Sequence, residues 1–327
     1  FSSMLNGLFY IDKNRRLFFA MAASPRFRDI KMNYYVNKLD YESEKQFSAV
    51  TYLLPDETCF VAYRGTDMSF VGWKEDFNMV YKSPIPSQEE GVEYLNAAAG
   101  KTSGGIIVGG HSKGGNIAVY SSMYCSHPVR DRITAVYSHD GPGFKEDIFK
   151  SSAFMEIKDR IHKIIPQSSI IGMLLQVQEN YQVVESKRFW IMQHDPFSWI
   201  IEKGDFRYAK TVANSSLNVN HTINQWLNGI SAEKRELFID ALYHVISSTN
   251  AKSVSDLSEV RISDLATILK AFRNIDRETR KFVVQTLREL IVLYVRNLSP
   301  LSKRTVRPSS LPSDNSGNLR AIDGTAK

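Results

Sequence analysis

The sequence is poor in cysteine. Two residues, Cys59 and Cys125, serve 327 positions, too few for a disulfide framework or a thiolate zinc site. Both fall in apolar segments, so buried free thiols are expected, which suits a reducing compartment and a cytoplasmic location. No apolar run reaches about 18 residues, which excludes a membrane-spanning helix and leaves at most transient contact with a membrane surface. Seven histidines are present, none paired at metal-ligand spacing, and neither G-x-G-x-x-G nor G-x-x-x-x-G-K-[ST] occurs. Dinucleotide and P-loop chemistry therefore have no support, and no metal or cofactor is implied. Excess charge of one sign is also scarce. Net charge is +6, and residues 299–327 hold five basic side chains against two acidic ones, about half of that excess. The rest of the chain is not basic enough to suggest a nucleic-acid partner.

One stretch organises what remains. Ile106-Ile107-Val108 reads as a buried strand, Gly110-His111-Ser112-Lys113-Gly114 follows, and Ile117, Ala118 and Tyr120 begin a helical pattern. Strand, sharp turn and helix are the context in which G-x-S-x-G forms a nucleophile elbow. The turn crowds the positions two before and two after the serine, and glycine at 110 and 114 answers that need. The serine oxygen then sits at a helix N-terminus, where free N–H groups favour developing negative charge. The bland alternative is a glycine-rich turn with a helix-capping serine.

Around the elbow the pattern alternates. A helical stretch is expected across Leu8, Phe9 and Leu17–Met21, then a polar stretch across Tyr34-Tyr35-Val36, and a hairpin over 46–63. Arg64-Gly65-Thr66-Asp67 follows the second hairpin strand, where an α/β-hydrolase keeps its second oxyanion donor; an ordinary strand-ending turn is the alternative. In the next segment Phe70, Trp73 and Phe77 stand at helical spacing, and at least two of them are expected in the core; Asp76 could brace the loop. A helix over 89–99 leads to the elbow strand. Strands are expected at 133–138, at 161–166 and over 183–192, the last delivering His194 into a loop. The alternation predicts an α/β fold, a mostly parallel sheet with helices on both faces, spanning 1–225. A small helical bundle is expected over 226–298, with a short second helix carrying Leu265, Ile268, Leu269 and Phe272, and with Phe282, Val283, Leu287, Leu290, Ile291 and Tyr294 facing inward on its last helix. A disordered tail is expected over 299–327.

Active sites of such sheets lie beyond the strand C-termini. Ser112, Asp140, His194 and Thr66 all fall there, in the order Ser, Asp, His. His139 competes with His194, and Asp195 with Asp140. Asp140 is favoured because neighbouring side chains of an extended segment point to opposite sides, which turns Asp195 away from His194.

Six segments then carry a resemblance: Tyr63-Arg64-Gly65-Thr66-Asp67 (with Phe47), Gly72-Trp73-Lys74-Glu75-Asp76-Phe77, Gly110-His111-Ser112-Lys113-Gly114-Gly115-Asn116, Asp140-Gly141-Pro142-Gly143-Phe144, Pro166 to Leu174, and Gln193-His194-Asp195-Pro196-Phe197-Ser198-Trp199. Together, over about residues 15–210, they resemble the Mbeg-like bacterial α/β-hydrolases, which are akin to class 3 (fungal-type) lipases. The resemblance implies an α/β-hydrolase fold, no cofactor, and hydrolysis of carboxylic or lipid esters. It matches Thr66 to an oxyanion residue and Ser69 to Tyr81 to a lid. The elbow and the strand ends themselves assign the chemistry to Ser112, His194 and Asp140, with the N–H groups of Thr66 and Lys113 expected to hold the oxyanion. Where class 3 lipases carry an acid in an Asp-x-Val-Pro-like segment, this chain reads Ile165-Pro166-Gln167-Ser168, so the acid falls to Asp140 or is missing. A thioesterase or peptidase on the same residues, and a hydrolase fold serving as a binding scaffold, remain as rival expectations.

Overall fold

The computed structural model describes residues 10–67, 69–79, 82–175, 180–247, 270 and 272–298. Helix α1 (Ile11–Ala23) leads into strands β1 (Lys31–Asp40), β2 (Lys45–Leu53) and β3 (Cys59–Tyr63). Helices α2 (Phe70–Asn78) and α3 (Pro86–Ala99) precede β4 (Ile106–His111), which runs into α4 (Lys113–Tyr124). Then come α5 (His127–Arg132), β5 (Ile133–His139), α6 (Glu146–Phe149), α7 (Ser152–Ile157), β6 (Ile161–Pro166) and β7 (Gln182–Val184). Short strands β8 (Ile201–Glu202), β9 (Asp205–Phe206) and β10 (Tyr208–Ala209) lead to helices α8 (Asn214–Gly229), α9 (Ala232–Ser247) and α10 (Arg277–Leu298).

Eight strands form one sheet in the order β1-β2-β3-β4-β5-β6-β7-β10. Its centre, β3 to β7, is parallel, and the antiparallel pairs lie at the two ends. The parallel strands end together, so the loops after β3, β4, β5 and β6 meet at one edge. Alternation sends Val61, Ile106, Val108 and Val136 into a core with Leu95, Ile117, Met123 and Phe154, residues brought by α3, α4 and α7. The opposite face carries a smaller cluster of Ile164, Val184 and Trp199, with Phe206 against it. Cys59 and Cys125 are buried free thiols.

Several expectations change. The polar stretch at 34–36 is part of β1, an edge strand mostly open to solvent, with a register shift between Asn33 and Val36. Exposure removes the apolar alternation by which a strand is recognised. The last strand stops at Val184, and Trp190–His194 is a 3-10 turn instead. Trp190 has φ 52°, which breaks an extended run, and Phe189, Trp190 and Met192 are exposed. In α2 neither Trp73 nor Phe77 is buried; Val71, Glu75 and Asn78 are, and so is Met79 just after the helix. Phe77 and Trp73 touch each other at the surface, with ring centroids 6.4 Å apart.

The C-terminal helices are present. Phe238, Ala241 and Val283 form their core with Trp226, Phe272 and Phe282. On α10 the inward positions are Val283 and Thr286, whereas Leu287, Ile291 and Tyr294 are exposed. Helix α8 runs unbroken through residues 225 and 226, and Lys74 of α2 pairs with Asp240 of α9 at 2.8 Å. Expectations for Leu8, Phe9, Tyr81, the helix around Leu265 to Leu269 and the tail 299–327 lie outside the described residues. No helix among the described residues is long and apolar enough to cross a membrane.

Candidate active site

Ser112 sits between β4 and α4 with φ 58° and ψ −130°, a backbone conformation L-residues avoid. Packing on both sides holds it there. The Ser112 N–H donates to His139 O at 2.9 Å, which fastens the turn to the end of β5. A Cβ at Gly114 would lie 2.3 Å from the Tyr63 carbonyl oxygen of β3, so no side chain fits. A Cβ at Gly65 would lie 2.7 Å from His111 O and 3.3 Å from Ser112 Cβ. The loop after β3 is thereby pressed against the serine, with Thr66 next in the chain. Lys113 is the first residue of α4, so its N–H has no acceptor within the helix.

His194 Nε2 accepts from Ser112 Oγ at 2.9 Å, and its Nδ1–H donates to Asp140 Oδ2 at 2.6 Å. The imidazole thus bridges the loop after β4 and the loop after β5. Asp140 is buried, with φ 49°. Its other oxygen accepts from Ser169 Oγ at 2.5 Å and from the Gly172 N–H at 3.2 Å. Burial alone would raise this carboxyl; the His194 contact, joined by Ser169, outweighs it and holds the group below its ordinary value. The Gly-Pro-Gly turn behind it is tied to the elbow helix, because Asn116 Nδ2 donates to Pro142 O and Gly143 O at 3.1 and 3.0 Å.

The His194 turn is pinned on both sides. Gln193 Oε1 accepts from the Ser168 N–H at 2.7 Å, and Trp199 Nε1 donates to Gln193 O at 2.8 Å. Asp195 points away from the imidazole. It caps the next turn through the Phe197 N–H and pairs with Lys13 of α1 at 3.0 Å. His139, the competing histidine, packs against Trp199 and Phe206 on the far face of the sheet.

Two contributions were not legible in the sequence, and a third had only a partial signal. His111 Nε2–H donates to the His194 carbonyl at 2.8 Å, and the two rings lie 4.5 Å apart. Burial, and the neighbouring His194, push His111 down to about 3, so it stays neutral and supports the turn without competing for a proton. Ser169 holds Asp140, although the segment had been notable only for lacking an acid. Thr66 Oγ1 donates to Asp76 at 2.7 and 2.5 Å, which commits the hydroxyl to that carboxylate. Burial pushes the Asp76 carboxyl up to about 6. Only this loop-bracing carboxylate had a sequence signal, its place just after the Thr66 loop. Phe189, Trp190 and Met192, which precede His194 in the chain at and within its turn, are exposed. Among the described residues no group of three or more His, Cys, Asp or Glu is arranged to hold a metal.

A parallel sheet with a serine elbow after its central strand and an acid and a histidine brought to the same edge defines an α/β-hydrolase fold. The Mbeg1-like family matches residues 21–244, and the chain belongs to that family. No curated protein matches it. Among solved structures it is similar to M37 lipase, at 15% identity and a TM-score of 0.36, over 52% of this chain and 64% of that one, under two thirds of the lipase's length. A fungal lipase–inhibitor complex is similar at 15% identity and a TM-score of 0.37, over 56% of this chain and 72% of that one. A Rhizomucor miehei lipase propeptide complex is similar at 15% identity and a TM-score of 0.35, over 56% and 62%.

Proposed function

We propose that the protein is a serine hydrolase that cleaves carboxylic esters, lipid esters among them, through an acyl-enzyme. The observation that carries this is the unbroken hydrogen-bond chain Asp140–His194–Ser112, anchored at a strained elbow. In this reading His194 takes the Ser112 proton as Oγ attacks the ester carbonyl. Asp140 fixes the tautomer with Nδ1 protonated and Nε2 free, and it stabilises the imidazolium that forms. The N–H groups of Thr66 and Lys113 receive the oxyanion. His194 then returns the proton to the leaving alcohol, and water repeats the sequence to release the acid. The exposed apolar side chains of Phe189, Trp190 and Met192 beside the His194 turn favour an acyl chain over a polar substrate.

A fluorophosphonate probe tests the nucleophile. The intact protein should label at Ser112, and Ser112→Ala should not. The same variant should lose about 10⁴-fold or more in kcat on p-nitrophenyl butyrate at nearly unchanged Tm. Retention of more than about a tenth of kcat would mean another nucleophile. Absence of labelling in the intact protein would leave a binding scaffold. A C2 to C16 ester series reports the acyl preference.

A further inference from the structure

The elbow carries a lysine directly after its serine, and the proposed mechanism uses only that residue's N–H. Its side chain does something else. Lys113 Nζ is fully buried and donates to Glu75 Oε2 at 2.8 Å, Gln46 O at 2.8 Å and Gln46 Oε1 at 2.9 Å. Glu75, equally buried, also accepts from the Gln46 N–H at 3.0 Å, the Ser87 N–H at 2.9 Å and Ser87 Oγ at 2.8 Å. All three ammonium protons and both carboxylate oxygens therefore have partners. The four elements joined are β2, α2, α3 and α4. Helix α2 also touches the oxyanion loop closely, since a Cβ at Gly72 would lie 2.9 Å from Thr66 Cγ2.

We propose that Glu75 and the Lys113 side chain are positioning residues, which lock α2 as a fixed wall and hold the Lys113 and Thr66 N–H groups in their oxyanion geometry before substrate arrives. The proposal rests on the ester-hydrolase reading for its kinetic part, and it reverses the lid expectation for this segment. Swinging α2 away would pull Glu75 from three other elements and strand a buried ammonium and a buried carboxylate apart, which low-dielectric surroundings penalise heavily. A segment tied in this way does not wait for a lipid surface to move it. The substrate class that follows is a dissolved, monomeric ester, met by a site that is already formed.

Two measurements on the full chain test this. The first follows the rate on tributyrin through its solubility limit, with Ser112→Ala as blank. A smooth saturating curve with less than a twofold change at the limit is expected; a jump of fivefold or more overturns the proposal. The second follows amide exchange of residues 70–78 with and without octyl glucoside micelles. Protection close to that of β4, unchanged by micelles, is expected; a tenfold acceleration overturns it.

A single truncation would leave an uncompensated buried charge, so the variant is Glu75→Gln combined with Lys113→Met, which removes both charges and keeps the volume. Misplaced oxyanion donors should lower kcat on p-nitrophenyl butyrate about tenfold or more with KM within threefold. Exchange at 70–78 should rise and a step at the tributyrin limit should appear, which a merely structural role would not produce. A variant with kcat within twofold of the intact protein refutes the positioning role. If this variant does not fold, the two measurements on the intact protein decide. If the intact protein cleaves no ester above the Ser112→Ala blank, the ester reading fails alone and amide exchange still decides the lock.

Discussion

Replacing Asp140 by Asn tests the site most sharply, because the structure dictates how the amide must sit. Oδ1 of Asp140 receives two donors, the Ser169 hydroxyl and the Gly172 N–H. In the variant that position must keep the amide oxygen, since an NH2 group there would face donors. The NH2 group is then turned toward His194 Nδ1, where the carboxylate now accepts at 2.6 Å. The imidazole has to present a lone pair at Nδ1 and carry its proton on Nε2. That is the nitrogen 2.9 Å from Ser112 Oγ, and in this tautomer it cannot take the serine proton. The loss expected in kcat is about 10³–10⁴-fold, or roughly 4–5.5 kcal/mol at the transition state. Stability should change far less, by about 1–3 kcal/mol, since every donor at Oδ1 keeps an acceptor. The assay is kcat on p-nitrophenyl butyrate beside a thermal melt of each protein. A folded variant retaining more than about a tenth of kcat would refute the tautomer argument and leave Asp140 as a brace for the Gly-Pro-Gly turn.

Asp195→Asn breaks the ion pair with Lys13 but leaves the His194 ring untouched, so kcat should fall less than about tenfold while Tm drops a few degrees; a loss near 10³-fold would move the acid role to Asp195. Asp76, raised to about 6 in the fold from 3.8, binds its proton more tightly folded than unfolded, so its contribution to stability declines as pH rises from about 4 to 6 and is level above. Asp76→Asn does not titrate, so its stability relative to the native chain should climb over that window by at most about 3 kcal/mol, read as Tm against pH; a constant difference would refute the burial of this carboxyl. Gly114→Ala puts a methyl 2.3 Å from the Tyr63 carbonyl oxygen and 2.9 Å from backbone carbons of Tyr63 and Arg64, and should cost more than about 3 kcal/mol, measured by the urea midpoint; a near-native midpoint would contradict the elbow packing.

Local chemistry placed much of the site in the sequence. Gly110-His111-Ser112-Lys113-Gly114 marks a strand-to-helix turn by the steric need for bare backbone, and Thr66 and Asp140 are identified by following apolar β-branched runs. Those signals sit within a few residues of what they describe. What they leave open depends on distance along the chain. Strand β1 was missed because an exposed edge carries no burial pattern. The pattern puts His194 in a loop after a strand, but a 3-10 turn presents it, because the exposed aromatics Phe189 and Trp190 imitate a buried run. Side-chain alternation favours Asp140 over Asp195, but the contact with His194 depends on the fold. Asp140 and His194 lie 54 positions apart, and only a sheet that brings the ends of β4, β5 and β6 to one edge lets the carboxylate reach Nδ1. Nothing local in the sequence pairs Lys113 with Glu75, which lie 38 positions apart. They become a buried pair because α2 and α4 close over the same end of β2, where a charge left alone could not be accommodated.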